Sequence, residues 1–190
     1  MTDNQYLWLV GSGEGTTGFA SIGKNYDAID IDDVELIALN SKLKALNSQT
    51  QFQIYNDSFI EHDFGVKKYD LIIMNNFLNV IPHADIQDNL QKAFNLLNVG
   101  CLISVKVNTD FKSEIDKIIS HRKGKELAPL KFYDACHNKY PYYNYFSKSE
   151  MENYLIEANF VIQECLLEGH YDRDGNLEAY FNFIAAKCYE

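Results

Sequence analysis

The chain has 190 residues, 46% hydrophobic and 23% charged. This composition supports one folded domain and excludes disordered, collagen-like and disulfide-dense classes. Seventeen Lys and Arg against 27 Asp and Glu leave a formal charge of -10, and Arg122 and Arg173 are the only arginines, a balance that argues against non-specific nucleic-acid binding.

Met1 to Gln5 carries no cationic region, and the apolar run Tyr6 to Val10 is too short for a signal peptide or a bilayer span, so a cytoplasmic protein without membrane contact is expected. The run ends in a glycine cluster and predicts a strand buried on both faces. Gly11-Ser12-Gly13-Glu14-Gly15 then turns the chain into a short helix near Thr16 to Ile22. A second strand, Tyr26 to Ile31, ends in acids, and Leu36, Leu39, Leu43 and Leu46 follow at the spacing of one helical face. Phe52 to Tyr55 and Tyr69 to Met74 read as strands. Ile86, Leu90, Ala93 and Leu97 mark a helix, and Cys101 to Val107 a further strand. Such alternation demands a mostly parallel sheet, because parallel neighbours need long crossovers.

Toward the carboxyl end the rhythm changes. Ser147 and Glu150 form a capping box ahead of Met151, Tyr154, Leu155 and Ala158, which predicts a helix. Phe160 to Leu167 and Leu177 to Lys187 read as strands separated only by the turn-rich Asp172 to Asn176, so they form an antiparallel hairpin. The expected fold is α/β: a doubly wound, mostly parallel seven-stranded sheet with helices on both faces and an antiparallel last strand, in a single domain spanning residues 1–190.

The strongest chemical signal is the glycine loop after the first strand. Residues without Cβ let a ligand lie against the backbone, and the following helix start offers unpaired N–H groups. Gly13, Gly15 and Gly18 also satisfy GxGxxG, which keeps a dinucleotide fold open. Asp30 ends the second strand, where a carboxylate can accept both hydroxyls of a ribose. Asp32 and Asp33 read as N-cap and first-turn acids. Asp57 follows the third strand at the ligand-binding edge, whereas Asp70, expected just ahead of the fourth strand, belongs at the opposite edge as a structural residue. Cys101, Cys136, Cys165 and Cys188 form no CxxC pair, and no metal site is assigned.

LWLVGSGEGTTG (Leu7 to Gly18), AIDID (Ala28 to Asp32), NDSF (Asn56 to Phe59), YDLIIMNNFLNVIPH (Tyr69 to His83) and NLLNVGCLISV (Asn95 to Val105) resemble, in order, the motifs of class I S-adenosylmethionine-dependent methyltransferases, a family with a Rossmann-like fold. The resemblance implies S-adenosyl-L-methionine as cofactor. Gly11, Ser12, Gly13 and Gly15 would line its methionine and ribose part. Asp30, with Ile31 beside it, would hold the ribose; Asp57 with Ser58 would border the adenine; Asn75 would border the methyl-transfer site.

Methyl transfer from a sulfonium needs alignment and exclusion of water more than acid–base chemistry. His83 is the candidate base for an acceptor hydroxyl or amine, against the plainer reading of a surface or helix-capping His. Residues 108–146, with the basic run His121 to Lys125 and the aromatics Tyr140 to Phe146, are expected to form an insertion serving as substrate lid, where Tyr143 is a further catalytic candidate. The lid would take the place of helices that the family commonly has ahead of the first strand. The expected partner is a small-molecule acceptor, with the oligomeric state left open. Two rival readings are a non-catalytic S-adenosylmethionine or nucleoside binding module acting with a partner, and an NAD-dependent oxidoreductase. Against the latter stand the absence of any Tyr-x-x-x-Lys pair and the antiparallel ending.

Overall fold

The computed structural model describes residues 5–9, 25–45, 51–109, 144–171 and 177–188. In chain order these form β1 (Gln5–Leu9), β2 (Asn25–Asp30), α1 (Asp33–Ala45), β3 (Phe52–Asn56), β4 (Tyr69–Asn75), a 3-10 turn (His83–Asp85), α2 (Ile86–Leu96), β5 (Leu97–Asn108), α3 (Lys148–Glu157), β6 (Val161–Tyr171) and β7 (Leu177–Ala186). One seven-stranded sheet runs β3-β2-β1-β4-β5-β7-β6. The pairs among β1 to β5 are parallel, and β7 lies antiparallel to both β5 and β6, as the short connection between the last two strands requires.

Strand alternation sends successive side chains to opposite faces, so two layers of core form. On one face Leu7, Ile29, Ile72, Met74, Val105 and Phe183 pack with Ile86, Leu90 and Ala93 of α2 and Met151 and Leu155 of α3. On the other, Tyr26, Ala28 and Ile73 pack with Leu36, Leu39 and Leu43 of α1. Among the described residues no helix is long and apolar enough to cross a membrane.

Several predicted boundaries move. β5 begins at Leu97, directly after α2, instead of Cys101. Gly100 permits this at φ +82, a conformation that costs glycine little. Its N–H donates to Lys187 O at 2.7 Å, and the Lys187 N–H returns to Cys101 O at 3.0 Å. β4 begins at Tyr69 as expected, so Asp70 is its second residue and does not precede it. It still serves the amino edge, accepting the Gln5 N–H at 2.9 Å and Asn98 Nδ2 at 2.8 Å.

Candidate functional site

In a parallel sheet the carboxyl ends of the strands share one edge, and the order here reverses between β1 and β4, the switch point where α/β folds bind ligands. Leu9, Asp30, Asn56, Asn75 and Asn108 therefore end their strands along one edge.

At the corner of β2 and β3 the chain is stitched twice. The Asp57 N–H donates to Asp30 O at 3.0 Å, and Asn56 Nδ2 donates to Asp30 O at 3.3 Å and Ile31 O at 3.2 Å. Asp30 Oδ1 accepts the Asp32 N–H at 2.8 Å. Burial pushes the Asp30 carboxyl up to about 6; the Asp32 N–H opposes the shift, and the charges of Asp32 and Glu35 add to it. Asp32 caps α1, its Oδ1 accepting the N–H groups of Val34 at 3.0 Å and Glu35 at 3.4 Å, which matches the N-cap reading. Ile31 is 72% exposed, an apolar plate beside the Asp30 carboxylate.

Asp57 spends its carboxylate on its own loop. Oδ1 accepts the Ser58 N–H at 2.8 Å, and Oδ2 lies 2.9 Å from His62 Nδ1. The His62 hydrogen bond, followed by that of Ser58, holds its carboxyl below the usual range. The His62 ring packs on Tyr55 and Phe64. From α2, Lys92 Nζ donates to Ile60 O at 2.9 Å and His62 O at 2.6 Å, pinning the loop that carries Asp57 and Ser58. Nothing local in the sequence marks Lys92 for this task.

On the far side of the switch point Asn75 is half-buried and pairs in register with Lys106. Asn76 turns the chain at φ 55, a left-handed value that Asn tolerates, and its N–H donates to Lys106 O at 2.9 Å. Asn79 is fully buried. Its Nδ2 donates to Asn144 O at 2.6 Å, and its Oδ1 accepts the Asn108 N–H at 3.3 Å. Asn144 answers with its N–H to Asn79 O at 2.7 Å and with Nδ2 to Leu78 O at 3.0 Å and Ile81 O at 2.8 Å. The Phe146 N–H donates to Asn108 O at 3.0 Å. Both flanks of residues 110–143 are thereby tied to the loop after β4, through two asparagines that the sequence reading passed over.

His83 opens the 3-10 turn with its Nε2 3.1 Å from Glu150 Oε1 and both ring nitrogens 3.3 Å from the Tyr154 hydroxyl. The expected capping box is thus half made. Ser147 Oγ accepts the Glu150 N–H at 3.2 Å, while the Glu150 carboxylate reaches His83.

A second polar cluster, also missed, sits in the amino half of the sheet. Asp27 is 5% exposed and accepts from the Tyr69 hydroxyl at 2.7 Å, Lys67 Nζ at 2.7 Å and the Tyr55 hydroxyl at 3.4 Å. Burial, and then Asp27 itself, push the Tyr69 phenol up. Burial would lower the Lys67 ammonium, but its bonds to Asp27 and Tyr55 leave it raised.

Gly11, Ser12, Gly13 and Gly15, the short helix near Thr16 to Ile22, the run His121 to Lys125, Tyr143 and most of the expected 108–146 insertion lie outside the described residues. Of the expected site residues, Asp30, Ile31, Asp57, Ser58 and Asn75 stand at the carboxyl edge, and His83 is bound to α3.

A family model described as a methyltransferase domain matches residues 9–103, half of the chain. A search of curated proteins finds no match. Among solved structures, a S-adenosylmethionine-dependent methyltransferase from Methanosarcina mazei superposes with a TM-score of 0.70 at 17% identity, over 100% of this chain and 95% of that one. The N-methyltransferase NodS from Bradyrhizobium japonicum, in complex with S-adenosyl-l-homocysteine, gives 0.65 at 10% identity, over 97% and 78%. Magnesium protoporphyrin IX methyltransferase from Synechocystis, with bound S-adenosylhomocysteine, gives 0.67 at 12% identity, over 97% and 73%. Likeness at these identities is likeness of fold.

Proposed function

Because this chain belongs to the methyltransferase-domain family, in its class I S-adenosylmethionine-dependent form, we propose that it holds the cofactor across the carboxyl ends of β1, β2 and β3 and passes the methyl group to a small-molecule acceptor beside the end of β4. The observation that carries this reading is the Asp30 corner. A half-buried carboxylate stands at the end of β2, and its backbone is locked to Asp57 at the end of β3 by a 3.0 Å hydrogen bond.

The residues present fit the group. Asp30 offers an anionic acceptor for ribose hydroxyls, Ile31 an exposed apolar surface for a purine face, and Asp57 with Ser58 a loop held in one shape by His62 and Lys92. In this reading Gly11, Ser12, Gly13 and Gly15 are assigned to the methionine and ribose part of the cofactor, where residues without a bulky side chain let a ligand approach the backbone. When bound, the cofactor supplies a methyl group already activated on a sulfonium. What remains for the protein is alignment and exclusion of water. Asn75 borders the transfer site. His83, oriented by Glu150 at 3.1 Å, takes the proton from an acceptor hydroxyl or amine. Residues 108–146 serve as the acceptor lid and contribute Tyr143; the anchoring of Asn108 and Asn144 beside the β4 loop supports this. A formal charge of -10 favours a small acceptor over nucleic acid.

Calorimetric titration with S-adenosylmethionine, S-adenosylhomocysteine and NAD tests the reading. Tight binding of the first two is expected, with Asp30→Ala costing about 2 kcal/mol or more. Unchanged affinity in the variant would remove Asp30 from the site, and preference for NAD would favour an oxidoreductase.

A further inference from the structure

Helix α1 is apolar on two opposite faces. Leu36, Leu39 and Leu43 point into the core. On the outer face Val34 is 69% and Ile37 64% exposed, and Ala38 and Ser41 are exposed beside them, the Ser41 hydroxyl turned back onto Ile37 O at 2.9 Å. A surface helix normally keeps one apolar stripe and turns charge outward; a helix apolar on both sides is normally covered on both.

The charges around this outer stripe say what covers it. At 100° per residue, Asp33 and Lys44 lie along one border of the stripe, and Glu35 and Lys42 along the other. Acids fill the first turn and bases the last. Two copies of α1 related by a twofold axis and packed antiparallel bring like borders together. Asp33 then meets the partner's Lys44, and Glu35 the partner's Lys42. Both pairs are centred on the same point, between Ala38 and Leu39, so one register satisfies all four contacts and places Ile37 and its symmetry mate at the middle of the seam. A parallel arrangement would set acid against acid and base against base.

From this coincidence of exposed apolar stripe and self-complementary borders, we propose that α1 is a homodimer interface, closed by a second copy of this chain in antiparallel register about the point between Ala38 and Leu39. One short helix from each subunit makes a small interface, so the dimer is a weak one, dissociating in roughly the micromolar range. Because α1 follows directly on Asp30 and Ile31, the dimer seam adjoins the candidate cofactor edge.

Sedimentation velocity at low salt, with protein up to about 0.2 mM, tests the proposal on the full chain. A concentration-dependent dimer is expected from the unmodified protein, and Ile37→Asp should raise its dissociation constant at least tenfold with circular dichroism unchanged. Two charge variants test whether the charged borders meet across the seam. Asp33→Lys with Glu35→Lys sets base against base across the seam; Lys42→Glu with Lys44→Glu sets acid against acid. Each alone should sediment as monomer, and an equimolar mixture of the two should recover the dimer, because every cross-seam pair is then opposite in sign. A monomeric unmodified protein at all concentrations, a dimer indifferent to Ile37→Asp, or a mixture no more dimeric than its components would overturn it.

Discussion

The backbone N–H of Asp57 donates to the carbonyl oxygen of Asp30 at 3.0 Å, so the two loops proposed to hold opposite ends of one nucleoside move as one corner. Asn56 doubles the connection through Nδ2. Asn56→Ala removes that second stitch without touching either carboxylate. Its affinity for S-adenosylhomocysteine is expected to fall by several-fold, about 1 kcal/mol, with little change in melting temperature. Calorimetry beside a thermal melt reads both, and an affinity equal to that of the unmodified protein would show that the corner holds its shape without Asn56.

Asp30 should make stability and binding depend on pH in opposite senses. Burial raises its carboxyl from 3.8 to about 6 in the fold, so the folded protein favours the protonated form. That contribution to stability is fully present below about 4 and is lost as pH rises through 6. Asp30→Asn keeps an acceptor for the Asp32 N–H but carries no charge. Without ligand, the variant should melt above the unmodified protein at pH 8, and the gap should close toward pH 4. Cofactor affinity should run the other way, weakening in the unmodified protein as pH falls through about 6, because the ionised carboxylate is the stronger acceptor for ribose hydroxyls. Melts from pH 4 to 8 decide the first half, and a gap that widens on acidification would contradict it.

How much of this was legible in the sequence depends on how local each signal is. Unbroken apolar runs such as Leu71 to Met74 and the helical spacing of Leu36, Leu39 and Leu43 are written within a few residues, and the sheet follows from their alternation. Asp30 was legible for the same reason, as an acid that ends an apolar strand. Asp27 was not. A carboxylate two positions into a strand carries no local mark, and the groups that satisfy it, Lys67 and Tyr69, stand 40 and 42 residues away. Glu150 has the spacing of a capping box on its own helix, whereas its carboxylate reaches His83, 67 residues distant. The apolar run Cys101 to Val107 marks too late a start for β5 because Gly100 reads as a break, whereas at its positive φ the strand runs through it and its N–H donates to Lys187 O.

The Asp27 cluster should act on stability alone. Tyr69→Phe removes one buried hydroxyl donor and is expected to cost about 1 to 2 kcal/mol. Asp27→Ala strands that hydroxyl and Lys67 together and should cost about 3 kcal/mol. Lys67→Met should cost less than Asp27→Ala, since the Lys67 side chain is 39% exposed and its site admits water. Urea titration measures each. The cluster belongs to the amino half of the sheet, so affinity for S-adenosylhomocysteine should be unchanged in Tyr69→Phe; a loss there would tie this cluster to the binding edge.

Asn79 is where the candidate lid can be tested without knowing the acceptor. Its amide is fully buried and bonded to both flanks of residues 110–143, as acceptor for the Asn108 N–H and donor to Asn144 O. Asn79→Ala leaves those backbone groups unpaired and should destabilise by about 2 to 3 kcal/mol. The more specific effect is local. If the two anchors keep the segment over the site, losing one should speed tryptic cleavage at Lys123, Lys125 and Lys139 well below the temperature of global unfolding. Cleavage after Lys92 or Lys106, inside the sheet and its helix, should stay slow. S-adenosylhomocysteine should protect the same three lysines in the unmodified protein, and protect them less in the variant, because ligand and anchor act on one segment. Asn79→Asp, which can accept from Asn108 but cannot donate to Asn144, should fall between the two. Cleavage at these lysines that neither the ligand nor Asn79→Ala alters would separate the segment from the site and leave Asn79 a purely structural bond.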